Sequence, residues 1–209
     1  MNSNKTAEIT EKTYDNNNKQ LILWISSITG NTKSIAEILI IRLLELGYEP
    51  RIRTAKDTMT RELLEKYHLK SADDAYISAN NKTPVILCFW CRRGSMDDLS
   101  LTFLKSLLQR KILVFGTMGS YPESEYGQKV RISVNDIVGK GNDLVGLYLC
   151  RGKIDIRRSE KRRNLPKDHR HYLDDESWQR HLSSRSHPDE KDKKGAATFL
   201  EENVAALFS

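Results

Sequence analysis

The chain has 209 residues, of which 38% are hydrophobic and 30% charged, with a net charge of +6. That length suits one α/β domain with extra polar material, not a set of domains. No apolar run approaches the length of a membrane span, and three scattered cysteines exclude a disulfide framework, so a cytoplasmic, reducing setting is expected.

Residues 1–20 are polar and Asn-rich with no apolar stretch, which excludes a secretory signal and predicts a flexible tail. Residues 21–209 are then read as a single domain. Leu21 to Ile25 is a short apolar run that predicts a buried strand, and Ser34 to Leu46 predicts a helix stopped by Gly47. Tyr48 to Thr54 carries Pro50 and reads as an edge strand, because proline cannot donate to a ladder. Thr58 to Leu69 is a short amphipathic helix, followed by polar, poorly patterned chain to Lys82. Pro84 to Trp90 is a second buried strand, and Met96 to Gln109 a helix with Leu99, Phe103, Leu104, Leu107 and Leu108 as its inner face. Lys111 to Phe115 is a third apolar strand ending in a glycine-bearing turn. Glu123 to Val138 is a helix, with Gly127 a mild blemish; Leu144 to Cys150 is the last strand, and Glu190 to Phe208 the last helix.

Alternating strands and helices predict an α/β fold: a doubly wound, five-stranded parallel sheet in the order 2-1-3-4-5, with helices on both faces. Ligands in such sheets bind beyond the carboxyl ends of the strands. Three loops reach that crevice: Ser26 to Thr32, Cys91 to Asp97 and Gly116 to Tyr126.

The first of these loops joins a buried strand to a helix through Ser26, Ser27, Thr29, Gly30, Asn31 and Thr32. Free N–H groups and the macrodipole at such a helix start favour an anion, most simply a phosphate. A nucleoside-triphosphate loop lacks its second glycine here, and a dinucleotide fingerprint lacks two of three. An ordinary strand-to-helix turn with capping hydroxyls remains an open alternative.

Ser27-Ile28-Thr29-Gly30-Asn31-Thr32 matches the [ST]-x-T-G-x-T phosphate loop of flavodoxins. The segments FWCRRGSMD, VFGTMGSYPESEYG, CRGKID and HPDEKD resemble a flavodoxin-like branch common in anaerobic bacteria. The resemblance covers residues 20 to 208 and implies FMN binding and electron transfer. It implies that Ser27, Thr29, Gly30, Asn31 and Thr32 wrap the phosphate. Trp90, Arg92, Gly94, Thr117, Met118, Gly119, Tyr121 and Tyr126 would surround the ring, with Gly94 supplying a peptide able to flip towards flavin N5. Trp90 reads equally as a core residue. Arg92 and Arg93 depart from the acidic surroundings usual in the family: near the ring they would raise the second reduction potential, and otherwise they point to solvent.

Cys88-x-x-Cys91 lies at a strand end, where residues three apart face opposite ways, so a dithiol site is not expected, nor is a metal site. Residues 151–194 hold 14 Lys/Arg against nine Asp/Glu and four of the five histidines, leaving the rest of the chain close to neutral. This basic insertion, 151–190 between last strand and last helix, has three readings: a docking surface for an acidic redox partner, a cover that binds a small anionic substrate, or a nucleic-acid contact. The last is disfavoured by interspersed acids and the lack of a recognition motif. The expectation is an FMN-binding electron carrier serving a partner reductase, with no side chain acting as acid or base, no nucleic acid and no membrane. The alternatives are an FMN-dependent oxidoreductase acting on a quinone-like or other conjugated substrate, and a binding protein that has lost the flavin.

Overall fold

In the computed structural model the described residues are 19–78 and 81–209. The tail expected over residues 1–20 therefore lies almost wholly outside them. Gln20 already belongs to the first strand, paired with Glu49.

Six strands form the parallel sheet: β1 (Gln20–Ile25), β2 (Glu49–Thr54), β3 (Lys70–Ser71), β4 (Val85–Arg92), β6 (Lys111–Met118) and β7 (Asp143–Arg151). A two-residue strand, β5 (Ser95–Met96), folds back antiparallel on the end of β4. The order is β3-β2-β1-β4-β6-β7, so the expected five-stranded core is present with a short strand added at one edge. Pro50 stands opposite Leu21 and beyond the reach of β3, which pairs only Arg51 and Ile52 of β2. The missing proline N–H is thus tolerated one strand in from the edge.

Successive residues of each strand face opposite sides, and each side carries its own core. Leu21, Leu23 and Ile25 pack with α1 (Asn31–Glu45), α2 (Asp57–Tyr67) and α8 (Glu190–Asn203). Ile22 and Trp24 pack with α3 (Asp74–Ile77), α4 (Asp98–Lys105) and α5 (Glu125–Val138). Connections run outward from β1 over one face and from β4 over the other. The crevice between β1 and β4 is therefore the switch point of the sheet.

Three expectations shift. Helix α1 begins at Asn31, inside the hydroxyl-rich loop, and ends at Gly47 with φ 77°, where the Gly47 and Tyr48 N–H groups donate to the carbonyls of Leu44 and Leu43. Helix α4 is shorter than expected: Asp97 caps it, which turns Ser100, Phe103 and Leu104 inward and leaves Leu99 and Leu108 about half exposed, at 53% and 49%. The polar stretch before Lys82 contains β3 and α3. β3 pairs with β2, and the end of α3 is held by Arg110, 1% exposed, whose guanidinium donates to the carbonyls of Ile77 and Ser78, both at 2.7 Å, and of Thr83 at 3.1 Å.

The basic insertion is ordered into two helices, α6 (Ile156–Arg163) and α7 (Asp175–Ser183). The late HPDEKD element is the start of α8. Asp189 and Asp192 form a reciprocal capping box, and His187 Nδ1 lies 2.5 Å from Asp192.

Candidate functional site

The loop after β1 is built around the start of α1. Gly30 adopts a left-handed φ of 87°, which lets the chain turn directly into the helix. The Lys33 N–H donates to Ser27 Oγ at 3.2 Å, and the Ser34 N–H to the Gly30 carbonyl at 2.9 Å. The N–H groups of Gly30, Asn31 and Thr32 meet no acceptor among the described residues. A concave row of free donors therefore stands at the positive end of a 15-residue helix. A Cβ placed on Gly30 would meet nothing within 4 Å, so the space before the loop is open.

Two buried side-chain pairs fix the loop to its surroundings. Thr32 Oγ1 and Thr117 Oγ1 are 2.8 Å apart, joining the start of α1 to the end of β6. Ser26 Oγ donates to Asp97 Oδ1 at 2.8 Å, joining the end of β1 to the cap of α4. Asp97 also accepts from the Ser100 N–H at 3.1 Å and the Ser100 hydroxyl at 2.8 Å.

A cavity of about 460 Å³ opens at this end of the sheet. Thr29 and Asn31 form one wall; Trp90, Cys91, Thr117, Met118 and Gly119 come from the ends of β4 and β6. The opposite wall is the basic insertion: Gly152 to Asp155, with Arg158, Ser159 and Arg162 of α6 and His181 of α7. Sequence reasoning flagged that segment by its charge and by CRGKID, but nothing in its pattern indicated which face would line a cavity. Ser159 Oγ and His181 Nδ1 are 2.7 Å apart and buried. Burial, with Arg180 and Arg162 nearby, holds the imidazole below its usual range.

Among the expected residues, Thr29, Asn31, Trp90, Thr117, Met118 and Gly119 share this cavity. Trp90 also borders a second groove of about 360 Å³, together with Ser27 and Arg92. Arg92 forms an ion pair with Asp98, so a carboxylate offsets the charge expected to act on a ring. Arg93 and Gly94 form the β4–β5 turn, with φ 51° and 82°. Tyr126 lines an adjoining space of about 390 Å³ that shares Gly119, Ile154 and His181 with the first. Its hydroxyl is 3.9 Å from Cys91 Sγ, and burial raises the pKa of both groups. Tyr121 is set apart: it borders a different groove, and the Arg151 guanidinium lies 4.1 Å from its ring centroid. Cys88 is fully buried, so the Cys88-x-x-Cys91 pair does not face one opening.

The family pattern described as a flavodoxin domain matches residues 21–201. The chain belongs to the flavodoxin family. A flavodoxin-like domain-containing protein, BilS, of Clostridioides difficile (strain CD3) is 30% identical over 187 residues, covering 87% of this chain and 93% of the relative. Oxidised flavodoxin 1 of Bacillus cereus superposes with a TM-score of 0.52 at 16% identity, covering 89% of this chain and 97% of that one. A short-chain flavodoxin associated with a bacterial microcompartment gives 0.51 at 14% identity, over 90% and 98%. The two structures establish the fold. In this flavodoxin-family chain a basic helical insertion walls the cavity beside the loop that starts α1. No helix among the described residues is long and apolar enough to cross a membrane.

Proposed function

We propose that this flavodoxin binds FMN in the 460 Å³ cavity and serves as an electron carrier for a partner reductase. The observation that carries the reading is the joining, in one cavity, of Thr29 and Asn31, beside the free N–H groups at the start of α1, with the ends of β4 and β6. Bound FMN would supply one- and two-electron redox chemistry, and the protein would hold and tune it.

The residues present suit that cofactor. The N–H groups at Gly30 to Thr32, with the hydroxyls of Ser27 and Thr29, offer a donor set for a phosphomonoester. The Thr32–Thr117 and Ser26–Asp97 pairs keep those donors in place, so little reorganisation is needed on binding. Trp90, near the end of β4, lines the cavity, Tyr126, in the first turn of α5, borders the adjoining space, and Gly94 occupies the left-handed turn between β4 and β5. None of these roles requires a side chain to act as acid or base, and a carrier needs none.

Calorimetry of the apo-protein with FMN tests the cofactor: saturable binding and a yellow, flavin-absorbing complex are expected, and absence of both would overturn the proposal. Separately, the FMN-loaded protein should fail to turn over NADPH with a quinone until a reductase is added. Turnover without a partner would instead favour the direct oxidoreductase.

A further inference from the structure

The loop that starts α1 holds only one cation, Lys33, and Lys33 is paired with Glu62 away from the cavity. A phosphomonoester carries a charge of roughly −1.5 to −2 at neutral pH. The loop alone would meet that charge with N–H dipoles and hydroxyls.

Across the cavity the balance is different. Lys153, Arg158 and Arg162 line it together with Thr29 and Asn31, and among the described residues the only carboxylate in the lining is Asp155. Asp155 is already engaged: its Oδ1 accepts the Arg157 N–H at 3.1 Å as the cap of α6. Lys153 has no ion pair or side-chain hydrogen bond among the described residues. Arg162 Nε donates to a neutral carbonyl, that of His171, at 3.0 Å. Arg158 lies 4.0 Å from Asp155, and its side chain is 84% exposed, free to turn inward.

The backbone of this segment is fastened to the loop it faces. Asn31 Nδ2 donates to the Lys153 carbonyl at 2.9 Å, and the Gly152 N–H to the Met118 carbonyl at 2.8 Å. A Cβ on Gly152 would stand 2.8 Å from Asn31 Nδ2, so a side chain there would force the two apart. The first residues of the insertion are thus fixed beside the free N–H groups of α1.

We propose that the insertion supplies the cationic half of the phosphate site: Lys153 and Arg158 close on the phosphomonoester from the side opposite the loop, with Arg162 further out. The inference deepens the FMN reading and rests on it for the identity of the ligand. It gives the basic segment a role in selecting phosphorylated flavin over riboflavin, whose ring is the same and whose phosphate is absent. Charge-assisted contacts from exposed side chains are worth less than buried ones, so each residue contributes a moderate factor.

The test is a set of calorimetric titrations of apo-protein with FMN and with riboflavin, for wild type, Lys153→Ala, Arg158→Ala, the double variant and Arg157→Ala. Arg157 carries the same charge on the same helix but does not line the cavity. Each single variant at 153 or 158 should weaken FMN about fivefold, and the double variant about 20-fold, converting modest ion-pair energies to affinity. Riboflavin should stay within about twofold, and Arg157→Ala should match wild type. Unchanged FMN binding in the double variant, or an equal loss for riboflavin, would overturn the inference while leaving the cofactor reading intact. An equal loss in Arg157→Ala would overturn it too, since net charge alone would then suffice. Thermal unfolding with inorganic phosphate separates the other case. Should wild type ignore FMN yet be stabilised by phosphate, and the double variant not, the anion site stands and the flavin reading falls.

Discussion

Asn31 Nδ2 and the Lys153 carbonyl, 122 residues apart in the chain, are joined by a 2.9 Å hydrogen bond that ties the start of α1 to the basic insertion. Asn31→Ala should lower stability by about 1 kcal/mol, the usual worth of one such bond. Asn31→Asp should behave differently. A carboxylate in the first turn favours the helix dipole, yet it would face the phosphate site with negative charge. Because a carboxylate cannot donate to the Lys153 carbonyl, Asn31→Asp should lose at least as much stability as Asn31→Ala, with FMN affinity below that of Asn31→Ala, read by denaturation and calorimetry.

Asp97 is 2% exposed and accepts from Ser26 and twice from Ser100, while the indole N–H of Trp24 donates to the Ser100 hydroxyl at 3.1 Å. Removing the carboxylate leaves buried donors unpaired and a helix uncapped. Asp97→Ala should cost about 3 kcal/mol, well above the typical surface substitution. Because Ser26 leads into the loop proposed to hold the phosphate, FMN binding should weaken as well. Urea unfolding of apo-protein, followed by titration of the folded fraction, checks both.

Gly127 lies in α5, where helix propensity alone would favour alanine by about 1 kcal/mol. A Cβ there would stand 2.1 Å from the Pro122 carbonyl oxygen. Gly127→Ala should therefore destabilise, by about 2 kcal/mol or more, as the Tyr121–Pro122 turn is pushed off the helix. A rise in melting temperature would contradict this contact.

His181 has its pKa lowered by burial first and then by Arg180 and Arg162, with Ser159 on its Nδ1. A histidine held below its unfolded value of about 6.5 binds fewer protons in the folded state. Its contribution is present in full above that value and is lost as pH falls towards the lowered one. Stability should decline on acidification from pH 7 to 5.5, less steeply in His181→Gln. His171, also shifted downward, remains in both proteins, so the difference between the two slopes isolates His181. Urea midpoints across that range provide the measurement.

The apolar runs at Leu21, Pro84 and Lys111 gave up their strands readily, because a strand buried on both faces needs continuous hydrophobicity. Short elements were another matter. The residues of β3, β5 and α3 are too few to show a period, and they exist through outside partners such as the Arg110 guanidinium. Leu99 and Leu108 read as inward because periodicity fixes spacing but not phase; the Asp97 cap set the phase.

By itself the sequence determined the five-stranded core of the sheet, its order and the glycine turn into α1, since each depends on local pattern and short-range turn chemistry. Only the tertiary structure decided what faces that loop. The insertion's cations come to it because β7 delivers Gly152 and Lys153 beside Asn31, a meeting of segments far apart in the chain. Such a contact is governed by how the elements pack, and no local period encodes it.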